Sequence, residues 1–309
     1  MERLFDYEFW GYGTSSIKQN MAMDEYLLAR AEKKKKATIR FWNVKKDGVV
    51  LGYAESGSAI KEKDKTFDIA RRITGGSHVE FDENCLAYSF TIPRDAKFMH
   101  FDEMRNYFAS KIEESLVELG IEAIKTDNKA STINVDKKVV ASHAIFWGIK
   151  SALMHGLVVI DPYDVDKIAR RMLLGKRKIG KNLYTEYEAL KQIPALSGIV
   201  KEKDEYLNKV LRREYVKKIL SKKILKKIAG SVYEKKKTTL AVSGEAQKIL
   251  GTRHLGESWL EERTPPYTEK EVETIPGEEL NGDLKSGLGY CLYIQVPDKD
   301  FAKMAEPSD

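Results

Sequence analysis

Between Arg71 and Ser77 the chain reads Arg-Arg-Ile-Thr-Gly-Gly-Ser. Paired glycines between two strand-like stretches let backbone N–H groups approach a ligand closely and point at an anion, which suits a phosphate. The same spelling also fits a tight turn with two surface arginines. A second candidate is Lys137-Lys138 in INVDKKVVASHA. A lysine ammonium is a compact charge able to stabilise a phosphate or a developing oxyanion, and Lys138, at the start of the strand, is the sharper choice over a merely solvated pair. Third comes Met154-His155-Gly156 ahead of LVVID, where glycine permits close backbone approach beside a polar histidine. His155 reads equally well as a satisfied structural residue. His78 and His143 each lie in a strand-like segment next to one of the other candidates and face either a ligand or solvent. Cys85, among Leu86, Tyr88 and Phe90, reads as a small core residue, because no neighbour would stabilise a thiolate.

These residues need a scaffold. Met21, Met23, Tyr26, Leu27 and Leu28 recur at near-helical spacing ahead of the lysine run 33–36, which predicts one amphipathic helix ending where cations suit its dipole. ATIRFWNV and GVVLGYAE are rich in β-branched and aromatic residues and flank the turn-prone Lys45–Gly48, so they predict a hairpin. FDIARRITGGSHVEFDENCLAYSFTI predicts strand, loop, strand, with the loop at a sheet edge. Tyr107, Ile112, Leu116 and Leu119 predict a helix that ends at Gly120. STINVDKKVVASHAIFWG and SALMHGLVVIDP predict a further strand pair, and DVDKIARRMLLGK returns to helical periodicity. A basic amphipathic helix or helix pair runs from Glu202 to about Lys227, and Gly230 to Lys237 is a charged break.

The fold class that results is α+β: mixed or antiparallel sheets flanked by helices over residues 1–230, then a small accessory α+β domain over 238–309. That second part carries a helix around GEAQKIL and the strand-like GYCLYIQV near its end. No repeat of solenoid or propeller period is present.

The chain has 309 residues, 42% hydrophobic and 32% charged, so it has a core to bury and is neither disordered coil nor fibre. No run approaches the roughly 18 apolar residues of a membrane span, and the opening MERLFDYEFW lacks the pattern of a signal peptide. The expected location is cytoplasmic. Two cysteines, Cys85 and Cys291, lack any ligand-like spacing, which excludes a disulfide framework or a zinc site as the organising device. Lys and Arg number 53 against 47 Asp and Glu, a net +6 concentrated in runs, which makes a nucleic-acid footprint weak.

In this order the pieces resemble the lipoate–protein ligase A family of the biotin/lipoate ligase superfamily, from about Asn20 to Leu190. Asn20, Asp24 and Glu25 are similar to the family's Asn-x-x-x-Asp-Glu helix, and Arg40-Phe41-Trp42 with Val49–Gly52 to its first strand pair. Arg71-Arg72-x-Thr74-Gly75-Gly76 is similar to the Arg-Arg-x-Ser/Thr-Gly-Gly-Gly loop, followed by Asp82 and Asn84. Lys138-Val139 fits the Gly-x-Lys-Ile/Val-Ser-Gly-Ser strand, and His155-Gly156 the His-Gly-Thr/Ser that follows.

The resemblance implies a biotinyl/lipoyl ligase-like catalytic domain that uses ATP and Mg2+ to convert lipoate or octanoate to an acyl-adenylate. It then implies transfer of the acyl group to a lysine of a lipoyl acceptor domain, in an oxoacid dehydrogenase E2 subunit or the glycine-cleavage H protein. It assigns catalysis to Lys138. Acyl and nucleotide binding fall to Arg71, Arg72, Thr74, Gly75, Gly76, Ser77, His78, Val79, Asp82, Lys137, Ser142, His155 and Gly156, and the metal ligands stay unknown. It further implies a C-terminal domain that covers and remodels the site.

The motifs also depart from the family pattern. Ser77 replaces the third glycine and Phe81 the histidine before Asp82, while Ala130-Ser131 stand where Asn-Asp is usual. Asp136 stands for glycine, and Val140-Ala141-Ser142-His143 for Ser-Gly-Ser-Ala. A divergent octanoyl- or lipoyltransferase and a non-catalytic relative that binds acyl-carrier domains therefore stay open beside the ligase. The obvious transferase cysteine is missing, and the biotin ligases' Gly-Arg-Gly-Arg-x-Gly motif is absent.

Overall fold

Ile17–Lys34 forms helix α1 because Ser16 closes a capping box at its start: the Ser16 hydroxyl accepts from the Gln19 N–H, and the Gln19 side chain accepts from the Ser16 N–H. Lys33 and Lys34 fill its last turn, where the carbonyl end favours cations. The computed structural model describes residues 4–55, 57, 60–61, 67–94, 97–172, 176–179, 182–185, 190–200, 209–231, 233–236 and 244–261.

The strands are β1 (Tyr7–Ser15), β2 (Ala37–Val44), β3 (Gly48–Leu51), β4 (Asp68–Arg71), β5 (Val79–Phe81), β6 (Cys85–Pro93) and β7 (Ile124–Asp127). After these come β8 (Thr132–Val135), β9 (Lys138–Trp147), β10 (Ser151–Val159), β11 (Lys176–Ile179), β12 (Asn182–Thr185) and β13 (Glu234–Lys235). The helices after α1 are α2 (Phe101–Glu118), α3 (Val165–Arg171), α4 (Leu196–Ile199), α5 (Lys209–Ala229), α6 (Gly244–Ile249) and α7 (Glu257–Glu261), with a π-turn at Leu250–His254.

Among the described residues, eight strands make the main sheet in the order β13-β1-β2-β6-β10-β9-β8-β7, and three make a smaller sheet, β4-β3-β5. The main sheet is mixed: β1 runs parallel to β2 and to β13, while β2, β6, β10, β9, β8 and β7 pair antiparallel in turn. On one face of it α2 and α5 bury Phe108, Ile112, Leu116, Leu220 and Ile224 against Phe41, Tyr88, Phe90 and Val158. On the other face lie α1 and the small sheet, with Ile17, Met21, Val50 and Phe81 packed on Trp42, Ala87 and Leu157. Mixed sheets flanked by helices are the α+β class expected.

Two local expectations are corrected. Ala37–Val44 and Gly48–Leu51 form no hairpin: β2 joins the main sheet between β1 and β6, whereas β3 is the centre of the small sheet. The first six residues of β2 are all buried, as a strand covered on both faces requires, and such a strand takes neighbours on both sides. The expected pair after α2 is three strands, because STINVDKKVVASHAIFWG itself folds back at Asp136-Lys137. Both of those residues have positive φ, 48° and 66°, the conformation of a two-residue hairpin turn. Other expectations hold: α2 is followed by Gly120 at φ 82°, and GEAQKIL begins with α6. GYCLYIQV and Cys291 lie outside the described residues.

Residues 244–261 pack onto α1 and β4. Ala246 and Ile249 meet Trp10, Met23 and Leu27, and Trp259 meets Leu28, Ile73, Phe146 and Leu153. Glu25 of α1 accepts from Arg253 and is 2.8 Å from His254 Nε2. Burial alone would raise the Glu25 carboxyl, but Arg253 and His254 outweigh it and hold it below the usual carboxylate range.

Candidate active site

A cavity of about 890 Å³ opens between the main sheet and the small one, inside the size range of ligand pockets. Its apolar lining comes from Met21 of α1, Trp42 of β2, Val50 of β3, Val79 and Phe81 of β5, and Leu157 and Val159 of β10. Trp42 and Phe81 stack with ring centroids 5.0 Å apart and make a flat floor. The polar part of the lining is Arg72, the loop Gly75–His78, the turn Asp136–Lys138, Ser142, His143 and His155.

The glycine loop joins the two outer strands of the small sheet, which is the edge position expected for it. Gly76 has φ 93°, a conformation open to glycine and strained for other residues. Gly52 lies directly beneath, where a Cβ would overlap the Gly76 carbonyl, so the close approach of the two backbones needs glycine at both places. Arg72 braces the loop: its guanidinium donates to the carbonyls of Val50 (3.1 Å), Gly75 (2.6 Å) and Ser77 (2.8 Å). Burial brings Arg72 down to about 10, against the pull of Glu55, so it keeps its charge at neutral pH. His78 Nδ1 stands 2.6 Å from Glu55 Oε1.

His155 is held from two sides. Its Nδ1 is 2.9 Å from Asp24 Oδ2 and its Nε2 is 2.7 Å from Thr74 Oγ1. The Asp24 carboxylate can only accept, so Nδ1 carries a proton, and in the neutral ring Nε2 accepts from the Thr74 hydroxyl. Asp24 also accepts from Ser89 Oγ at 2.6 Å and Arg40 Nη1 at 3.1 Å, and Arg40 reaches Asn20. This buried chain ties α1, β2, β6 and β10 to the residue just before Gly75. Gly156 is needed next to it because a Cβ there would overlap the Ser142 carbonyl across the β9–β10 pairing.

The fourteen sequence candidates thus separate into groups. Arg72, Gly75, Gly76, Ser77, His78, Val79, Lys137, Lys138, Ser142, His155 and Gly156 meet around one cavity. Thr74 stands behind its wall, bonded to His155, and Asp82 shapes the turn into β6 by accepting from the Asn84 N–H at 2.8 Å. Arg71 is elsewhere: fully buried, it donates to the carbonyls of Gly52 (2.8 Å), Tyr53 (3.0 Å), Glu55 (2.6 Å) and Trp259 (3.0 Å), so it fastens the C-terminal segment rather than enclosing a ligand. Cys85 is buried with Tyr163 Oη at 3.0 Å, and burial pushes its thiol well up, which fits the core role given to it.

Sequence reasoning missed Glu80 and Glu55. Glu80, in the cavity lining, has an unpartnered Oε1, and burial, only partly offset by Arg171, pushes it up to about 8. Nothing in the spacing of Glu55 from His78 announces their pairing. Among the described residues no group of three or more His, Cys, Asp or Glu is placed to hold a metal ion, and no helix is long and apolar enough to cross a membrane.

Among solved structures this architecture is that of the lipoate–protein ligases. It matches lipoate–protein ligase A bound with ATP at a TM-score of 0.63 and 16% identity, over 82% of this chain and 98% of that one. A bi-partite lipoate protein ligase, studied with its E2 lipoyl domain, from Thermoplasma acidophilum matches at 0.63 and 15%, over 83% and 96%. At these identities the likeness establishes the fold. The model of the lipoyl protein ligase A/B catalytic domain matches residues 16–192, more than half of the chain, and the chain belongs to that family. Lipoate–protein ligase 1 of Staphylococcus aureus is 25% identical over 166 residues, 52% of this chain and 48% of that protein. The chain thus aligns with about half the length of this curated relative.

Proposed function

We propose that the protein is an ATP-dependent lipoate–protein ligase, which activates lipoate or octanoate to acyl-AMP and passes the acyl group to a lysine of a lipoyl acceptor domain. The observation that carries this reading is the convergence of Lys138, the braced Gly75–Gly76 loop and an apolar pocket around one cavity. An acid with an apolar tail needs the pocket, and its reaction with a nucleotide needs fixed positive charge at the pocket's polar end.

In the first half-reaction a carboxylate oxygen attacks the α-phosphorus and the bond to pyrophosphate breaks. Repulsion between two anions dominates that barrier. The Lys138 ammonium stabilises the charge that gathers on the phosphorus oxygens, and the loop, kept in shape by Arg72, supplies N–H donors. In the second, the neutral amine of the acceptor lysine attacks the acyl carbonyl, AMP departs, and the amine's extra proton leaves to solvent. Lys138 holds carbonyl and phosphate in line for that attack. The raised thiol of buried Cys85 gives no support to a covalent acyl-enzyme.

Mg2+ is held mostly by substrate phosphates with one or two carboxylates. Asp136, in the cavity wall on the turn before Lys138, is the residue that would hold it, and the ion would neutralise phosphate charge. The acceptor would be an E2 lipoyl domain or the glycine-cleavage H protein, in line with the E2 lipoyl domain named with the Thermoplasma relative.

The test is lipoate-dependent exchange of labelled pyrophosphate into ATP. Exchange in the wild type and its loss by at least about a hundredfold in Lys138→Ala, the size of effect of removing a charge-stabilising donor, is the expected result. Full exchange in the variant removes Lys138 from the mechanism, and no exchange with either acid returns the protein to the transferase or non-catalytic readings.

A further inference from the structure

Residues 244–261 line no part of the cavity, yet they hold both supports of its glycine loop from behind. The first support is Arg72, which braces the loop from within. Its chain neighbour Arg71 donates to the carbonyls of Trp259 (3.0 Å) and Leu260, and the Arg71 carbonyl accepts from Trp259 Nε1 at 3.1 Å. The Trp259 indole also packs with Ile73, which lies between Arg72 and Thr74, and with Tyr53, ring centroids 6.0 Å apart. Tyr53 in turn donates its N–H to the Thr74 carbonyl at 2.9 Å.

The second support is the buried chain from Asp24 through His155 to Thr74. The residue after Asp24 on α1 is Glu25, and the segment engages both of its carboxylate oxygens: Oε2 accepts from Arg253, and Oε1 is 2.8 Å from His254 Nε2. The Arg253 guanidinium lies over the Trp259 ring, 4.9 Å from its centroid, which joins the two grips into one. The segment thus fastens the immediate chain neighbours of Arg72 and Asp24. A shift of the segment moves the loop, whose N–H donors act only at hydrogen-bond distance from phosphate oxygens.

Building on the ligase reading above, we propose that Trp259 is a positioning residue for nucleotide binding, which sets the place of the Gly75–Gly76 loop through Arg71 and Ile73 so that docking of residues 244–261 and binding of ATP strengthen each other. The segment works from behind the loop and not as a cover over it. Such coupling is reciprocal: the factor by which docking tightens ATP binding is the factor by which bound ATP tightens docking.

The experiment uses the full chain and Trp259→Phe, which keeps an aromatic ring in the site and removes the donation to the Arg71 carbonyl. In lipoate-dependent pyrophosphate exchange the variant should show a KM for ATP raised about fivefold, on the scale of one buried hydrogen bond, with kcat within about twofold of wild type. A merely structural role acts the other way, lowering kcat through a smaller folded fraction and leaving KM alone. Amide hydrogen exchange of residues 244–261 is the second readout: ATP with Mg2+ should slow it in the wild type by about the same factor, and by less in Trp259→Phe. An unchanged KM in folded Trp259→Phe, or hydrogen exchange of the segment indifferent to bound ATP, overturns the proposal, while pyrophosphate exchange by the wild type keeps the ligase reading intact. Absence of pyrophosphate exchange in the wild type overturns the ligase reading and this proposal with it. Should Trp259→Phe fail to fold, the wild-type hydrogen exchange with and without ATP decides alone.

Discussion

Glu80 and His143 are both held neutral at pH 7 by burial, yet they couple folding to pH in opposite directions. Glu80 keeps its proton in the folded protein up to about 8, while the unfolded chain releases it from about 4.5. Its contribution therefore falls as pH rises through that window, by at most about 1.4 kcal/mol per unit. His143 stays unprotonated when folded down to about 4 but titrates near 6.5 when unfolded, so its contribution falls as pH drops from 6.5 to 4. Between about 4.5 and 6.5 the two slopes oppose each other, and above that only the Glu80 loss remains. Glu80→Gln should then raise the melting temperature relative to wild type by an amount that grows from pH 5 to pH 8 and vanishes near pH 4. Scanning calorimetry across that range checks it, and a pH-independent difference would show that Glu80 carries no displaced proton. His143 was singled out from its place in the sequence, but its missing partners and Glu80's burial arise from residues far apart in the chain, which no local pattern records.

The elements around the glycine loop explain how far local reading reaches. Alternation and turn residues located the strands because they report the two faces of one strand. Which sheet a strand joins depends on distant partners, and so the Lys45–Gly48 turn suggested a hairpin where the chain instead leaves the main sheet for the small one. The loop itself was legible from Arg71 to Ser77, but the division of labour between its two arginines was not. Arg71 turns to the C-terminal carbonyls and Arg72 to its own loop, an outcome of tertiary packing alone. The link from Asp24 through His155 to Thr74 joins three of the recognised motifs into one support for that loop. Thr74→Val removes the hydroxyl donor while keeping the side-chain shape, and is expected to raise the apparent KM for the acyl acid about tenfold with a much smaller change in kcat, on the scale of one lost buried bond. Thr74→Ser should restore it. Equal losses in KM and kcat for both variants would mean that Thr74 only packs.

At the scale of the whole molecule, residues 244–261 are bound into the catalytic body rather than appended to it. Trp259 is 3% exposed and donates from Nε1 to the Arg71 carbonyl at 3.1 Å, while Arg71 returns bonds to the carbonyls of Trp259 and Leu260. Trp259→Ala should cost about 3–5 kcal/mol in urea unfolding, the usual toll of emptying a buried indole site. A loss below about 1 kcal/mol would make the segment a loosely held appendage. The margins of the main sheet have a different bearing. At one side, among the described residues, β1 is followed by the two residues Glu234 and Lys235, with Lys36 and Lys236 ion-paired to Glu234. At the other, β7 is four residues long and alternates half-buried with exposed positions. Fibril growth needs a long, flat, apolar margin on which another chain can template, and both of these are too short and too charged to serve. Among the described residues, the margins of the main sheet therefore offer little on which another copy could template.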